Sequence, residues 1–399
     1  MTLKATDLPL GFTYAARAAG IKKSGKPDLA LIVADQPVPC AGTFTTNRVV
    51  AAPVVLTRDR LRAGVCQAIL VNSGNANACT GAQGLADARR CAALAAGSLG
   101  IAEDLVAVCS TGVIGVPLPM ERFAEQIPLL AAERLAEGAE AVAWAMMTTD
   151  AFPKVVARRV TLGGRECRLV GLAKGAGMIH PEMATMLAFV MTDATLDSVA
   201  AGDLLKTAVS RTFNRITVDR DTSTNDTALL LASGAAGAPL LDADGAERQL
   251  FAAALEEVLQ ELAKMIVRDG EGASKLVRIQ VDGAHSESDA LTVARSIATS
   301  ALVKTAFFGA DANWGRIIAA AGYAGVELDP DLVSIHFDDV VMVERGLGRD
   351  AEQEAKATAV LKQAEFTVTV DLGLGSGSAW YYTSDLGYEY VRINADYRS

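Results

Sequence analysis

An α/β architecture, built as one large unit or as two domains, is what this sequence predicts, and three observations carry the prediction. The chain has 399 residues, more than one simple core accommodates. Half of it is apolar, at 51%, and only 21% is charged, so a sizeable core can be buried. Helical and strand spacings alternate along its length, the signature of helices packed on sheets. Aromatics supply just 5% of residues. Small aliphatic side chains dominate instead, which suits helices lying close on a sheet.

The elements follow in order. Gln67–Asn72 reads as a short buried strand, and Leu85–Leu99 has helical spacing. Leu105–Ser110 is a second strand running into a Thr-Gly turn, and Ala124–Met147 is a run of strong helix formers interrupted by Pro128. Leu255, Val258, Leu259, Leu262, Met265 and Ile266 mark one face of a helix. That helix stops at Asp269-Gly270-Glu271-Gly272, where glycine is available for a left-handed end. Leu276–Val281 and Phe366–Leu372 alternate like half-buried strands. Thr217–Thr227 stands apart, with three aspartates, four threonines and no apolar spacing. The tail groups Tyr388, Tyr390, Val391, Ile393 and Tyr397, which predicts an ordered strand docked against the body.

Composition excludes several classes of function. A formal net charge of −10 argues against nucleic acid, which needs a basic surface to displace counterions. The first residues lack the apolar core of a signal peptide, and no apolar run spans a bilayer. A soluble, cytoplasmic protein with no membrane partner is expected. Cys40, Cys66, Cys79, Cys91, Cys109 and Cys167 form no CxxC pair, so reduced, buried thiols are expected. With histidine only at 180, 285 and 336, neither a metal site nor a serine–histidine triad is expected. Any base must come from elsewhere.

Two glycine motifs are set aside. Gly20 to Lys26 has phosphate-loop spacing, but Pro27 stands where a hydroxyl must hold magnesium. Gly373-Leu-Gly375-Ser-Gly377 lacks a helix-forming run behind it.

The stretch from Gly171 to Val190 is more telling. A glycine-rich turn passes through Ala184-Thr185 into an apolar strand. Periodicity alone makes Thr185 an ordinary strand threonine, Lys174 a solvated lysine and His180 a turn residue. Chemistry offers a sharper reading. Were the peptide bond before Thr185 broken, the new α-amino group, with an unperturbed pKa of about 7.7–8.0, would stand beside the hydroxyl. One residue would then supply nucleophile and base together. Ser110-Thr111-Gly112 is either a polar strand terminus or a pair of donors, the Thr111 hydroxyl and Gly112 N–H, for a developing oxyanion.

The residues from Lys174 to Phe189, with Ala184-Thr185 at their centre, closely resemble the processing site of the glutamate N-acetyltransferase family, also called ornithine acetyltransferase. Supporting segments are Asn72 to Gly81, Cys109 to Gly115, Met147 to Asp150, Asn214 to Asp226, Arg268 to Lys275, Gly309 to Arg316 and the tail from Tyr390. Together they cover nearly the whole chain. The resemblance implies a self-processing α/β sandwich similar to that of the β-aminopeptidases. It also implies cleavage between Ala184 and Thr185 into an alpha chain, 1–184, and a beta chain, 185–399, paired as a heterotetramer of two copies of each. Thr185 is then the acetylated nucleophile, and Thr111 and Gly112 form the oxyanion hole. The implied substrate contacts are Thr148 (with Thr149 as the alternative), Lys174, Thr185, Glu271, Asn394 and Ser399. On charge, Lys174 suits a substrate carboxylate and Glu271 an ammonium. The implied reaction moves acetyl from N2-acetylornithine to glutamate in arginine biosynthesis, with no cofactor. Use of acetyl-CoA as a further donor stays open. Ser384 departs from the family pattern, where cysteine is expected, at no cost to the chemistry.

Overall fold

The computed structural model describes residues 3–180, 186–241 and 245–396. Its strands, in chain order, begin with β1 (Phe12–Arg17), β2 (Leu29–Phe44), β3 (Val65–Asn75), β4 (Val106–Val113) and β5 (Lys154–Leu162). Then come β6 (Arg165–Lys174), β7 (Leu187–Thr192), β8 (Ile216–Thr217), β9 (Thr227–Ala232) and β10 (Leu276–Ala284). The last are β11 (Ser334–Phe337), β12 (Val340–Glu344), β13 (Leu347–Gly348), β14 (Glu365–Asp371) and β15 (Gly377–Ser384). They form two mixed sheets, ordered β4-β3-β2-β9-β7-β6-β5, with β1 beside β2, and β13-β12-β11-β14-β10-β15-β8. The α/β prediction holds.

Strand β2 joins the halves of the first sheet. Its pairing with β3 shifts between Val33 and Val38, and its end, Cys40–Phe44, pairs with β9. Strands β7 and β9 are buried at every residue because helices cover both faces, so they read as continuous apolar runs. On one face lies the helix Ala246–Arg268, with Leu255, Val258, Leu259, Leu262 and Ile266 in a core shared with Leu169, Ala188 and Val190. A Cβ on Gly171 would meet Val258 Cγ1 at 2.6 Å, so glycine is what lets this helix sit close. On the opposite face, Val142 and Met146 of the helix Ala139–Met146 pack with Val170, Leu172 and Phe189. The second sheet has its own core, in which Ile279, Val281, Val293, Ile297, Phe307 and Leu361 meet.

Three expectations need correction. The tail is a helix, Tyr388–Asp396, not a strand. Tyr388 is 83% and Val391 66% exposed, so its apolar residues do not dock as strand residues would. Ala124–Met147 breaks into the helices Met120–Ala132 and Ala139–Met146, with Pro128 inside the first and Gly138 capping the second. Cys79 is exposed, whereas the other five thiols are buried. Among the described residues, no helix is long and apolar enough to cross a membrane.

Candidate active site

One cavity gathers residues from both sequence halves. Thr111, Gly112, Thr148, Thr149, Lys174, Glu271 and Asn394 line it, joined by Asp219, Asp221, Asn225 and Tyr390. Ala184, Thr185 and Ser399 lie outside the described residues.

Thr111 and Gly112 sit near the end of β4, next to Ser73 and Gly74 of β3. Gly112 has φ 133°, and a Cβ there would stand 2.3 Å from the Gly74 carbonyl carbon. Glycine is therefore required by the approach of two strands, not only by the approach of a substrate. The Asn225 amide donates to the carbonyls of Ser110 (2.9 Å) and Ala76 (2.7 Å), fixing this strand end from the polar loop after β8.

Lys174 ends β6 and is 2% exposed, so it is no solvated lysine. Its Nζ donates to Thr148 Oγ1 at 2.9 Å and reaches Thr111 Oγ1 at 3.4 Å. Because the ammonium donates to the Thr111 oxygen, the hydroxyl hydrogen stays free to point elsewhere. Burial lowers the Lys174 pKa, and the Asp150 carboxylate 3.8 Å away opposes that shift.

Behind the lysine lies a buried ionic chain. Asp150 accepts from the N–H groups of Gly175 (2.7 Å) and Thr148 (2.9 Å) and from Lys154 Nζ (2.7 Å). Lys154 also donates to Asp269 at 2.5 Å, and the Asp269 carboxylate accepts from Ala151 N–H. Burial alone would raise the Asp150 pKa, but the ammonium groups of Lys174 and Lys154 outweigh it and hold the carboxyl well below the usual range. Burial raises the Asp269 carboxyl despite Lys154.

The opposite wall is acidic. Glu271 follows the helix that Asp269 closes, and its N–H donates to Ala176 O at 2.9 Å. A Cβ on Gly177 would lie 2.6 Å from the Glu271 carboxyl carbon, so that glycine makes room for the carboxylate. Asn394 Nδ2 donates to Glu271 at 2.8 Å and to Tyr390 O at 3.0 Å. Asp219 accepts from the Met178 and Ile179 N–H groups at 2.7 and 2.8 Å, and burial pushes its carboxyl up to about 6.

Strand β7 enters the sheet opposite Lys174, since Leu187 is its Cα partner. Met186, one residue before, donates its N–H to Asp226 Oδ1 at 2.9 Å. Asp226 is fully buried, its Oδ2 has no hydrogen-bond partner among the described residues, and burial holds its carboxyl well above the usual range.

Sequence reasoning assigned no role to Asp150, Lys154, Asp219, Asp226, Asp269 or Tyr390. The available signal was the Thr217–Thr227 segment, polar and without apolar spacing, yet followed at once by the fully buried β9. Lys154 carried none, because a lysine opening a strand gives no hint of burial.

The family model described as the ArgJ family matches residues 13–399. The arginine biosynthesis bifunctional protein ArgJ of Syntrophotalea carbinolica is 61% identical over 390 residues, covering 98% of this chain and 99% of that one. Its counterpart in Geobacter sulfurreducens is 54% identical, with the same coverage. A crystal structure of arginine biosynthesis bifunctional protein ArgJ from Bacillus halodurans is 43% identical, with a TM-score of 0.51. It covers 52% of this chain and 98% of that chain.

Proposed function

This chain belongs to the ArgJ family of arginine biosynthesis, and from that premise we propose that it moves acetyl from N2-acetylornithine to glutamate through an acetyl ester on Thr185. The chain first cleaves itself between Ala184 and Thr185, and segments 1–184 and 185–399 stay together as a cytoplasmic heterotetramer, without cofactor. The observation that carries the reading is the meeting of Thr111, Gly112, Lys174 and Glu271 in one cavity, with Lys174 paired to the first residue of β7. The length of the solved Bacillus halodurans chain supports the cleavage. That chain matches almost wholly yet corresponds to 52% of this one, near the share that segment 185–399 would make.

In this mechanism the Thr185 hydroxyl attacks the acetyl carbonyl. Its proton passes to the α-amino group of the same residue and then to the departing ornithine nitrogen. Negative charge on the carbonyl oxygen is met by the Thr111 hydroxyl and the Gly112 N–H. Glutamate's amine then attacks the ester, and the proton it sheds returns to the threonine oxygen. Glu271, with Asp219 and Asp221 near it, suits a substrate ammonium, and Lys174 a carboxylate. Thr148 orients Lys174, while Asn394 and Ser399 contact substrate from the tail. Acetyl-CoA acylates the same threonine as a second donor, in keeping with the word bifunctional in the relatives' names.

Double-reciprocal plots against N2-acetylornithine at several glutamate concentrations are expected to be parallel, because acetyl rests on the enzyme between two amines. Intersecting lines would contradict a covalent intermediate. Acetate release at full rate without glutamate would make the enzyme a hydrolase. Thr111→Val is expected to lower kcat by about 10²–10³-fold with little change in KM. A KM effect alone would move Thr111 from the oxyanion to substrate binding.

A further inference from the structure

A second cavity is lined by Arg220, Arg295, His180, Thr292, Ser300 and Tyr323, among others. No carboxylate lines it among the described residues, although the chain carries 47 acidic residues and a net charge of −10. Neither arginine forms an ion pair among the described residues, whereas many others on this surface do. The helix Ala301–Phe308 starts at the cavity wall, capped by the Ser300 side chain, and adds the partial positive charge of its amino end.

The segment 219–221 contributes to both cavities. Asp219 and Asp221 line the first and Arg220 the second. Arg220 holds φ 72°, a conformation unusual for a side-chain-bearing residue. His180, whose Nδ1 lies 3.3 Å from Thr217 Oγ1, registers both arginines. Burial first, then the charges of Arg295 and Arg220, pulls its imidazole down to about 4. It is therefore neutral at pH 7, and the cavity's cations are the two guanidinium groups.

We propose that this second cavity is an anion subsite, in which Arg220 and Arg295 hold the phosphate groups of a phosphorylated acyl donor while its acyl end reaches the first cavity. Guanidinium groups match phosphate oxygens in pairs of parallel hydrogen bonds, and the surrounding hydroxyls add neutral partners. The inference rests on the acyl-threonine reading above and deepens it. Acetyl-CoA is the donor of this chemistry, with its phosphates at one end of a long flexible arm and the thioester at the other. Acetylornithine has no phosphate and needs only the first cavity.

The test compares three acetyl donors, each with glutamate, on the purified protein and on the Arg220→Gln/Arg295→Gln variant. Both side chains are exposed, so the fold is unaffected by their loss. The KM for acetyl-CoA is expected to rise about tenfold or more. The KM values for acetyl-pantetheine, which lacks the nucleotide phosphates, and for N2-acetylornithine should stay unchanged. An unchanged KM for acetyl-CoA, or an equal loss with all three donors, would overturn the subsite. If the unaltered protein makes no N-acetylglutamate from acetyl-CoA, the bifunctional reading fails by itself. Calorimetry with coenzyme A and with inorganic phosphate then decides the subsite. Salt-sensitive binding weakened about tenfold in the variant supports it, with the two ligands separating a nucleotide from a free-phosphate site. Equal binding by both proteins, or none, overturns it.

Discussion

The Thr185→Ala variant is expected to run as one full-length band on a denaturing gel and to transfer no measurable acetyl. The unaltered protein should give two bands, with Thr185 at the amino terminus of the second. One oxygen atom serves both reactions in the proposed mechanism: it attacks the Ala184 carbonyl once, and the acetyl carbonyl in every turnover. Losing the nucleophile of a comparable catalytic unit costs roughly 10⁶-fold in kcat, which places residual transfer below detection. Thr185→Ser keeps the oxygen and should retain both reactions at lower rates. Asp226 gives a second handle, because its carboxyl holds the N–H of Met186, the residue next to Thr185. Efficient cleavage of the alanine variant together with retained transfer would remove the threonine from the mechanism. Normal cleavage combined with lost transfer would leave Thr185 with the second role alone.

What could be read from the sequence was whatever depends on neighbours along the chain. The stripe from Leu255 to Ile266 fixes one helix face whatever that face meets, and Leu276–Val281 alternates because one side of β10 faces a core. The resemblance named residues from distant segments, and the fold brings Thr111, Gly112, Thr148, Lys174, Glu271 and Asn394 into one cavity. Contacts made only on folding were not legible. Tyr390 and Val391 favour strands by residue type, but a helix places Tyr390 and Asn394 one turn apart, both lining the cavity. Periodicity makes Lys174 a solvated lysine for a similar reason, since its partners Thr111, Thr148 and Asp150 lie 63, 26 and 24 positions away in the chain. Arg220 and Arg295, 75 positions apart, meet only because the 219–221 segment runs past the helix Glu287–Thr299.

Lys154→Met is expected to have the largest effect on stability, about 3–5 kcal/mol at pH 7, the usual cost of breaking a buried ion pair from one side. Lys154 is fully buried, and its Nζ lies between Asp150 and Asp269, whose side chains are 0% and 4% exposed. Methionine fills much of the same volume, so the loss is chiefly electrostatic: two carboxylates remain in a dry site with one fewer counter-charge. Burial already raises the Asp269 carboxyl, and removing Lys154 raises it further. A carboxyl whose folded pKa exceeds its unfolded value of about 3.9 costs nothing while both states are protonated. Its penalty grows as pH rises from the unfolded pKa to the folded one and levels off above it. The gap between variant and unaltered protein should therefore narrow as pH falls from about 7 towards 4. Denaturation midpoints across that range measure it. Activity should fall with stability, because Asp150 holds the N–H groups of Thr148 and Gly175, and Asp269 stands two residues before Glu271. Adding Asp269→Asn to Lys154→Met removes one stranded charge and should recover part of both. A Lys154→Met protein with an unchanged midpoint at pH 7 would mean that methionine packs there as well as the ion pair, and that Asp150 alone positions Lys174.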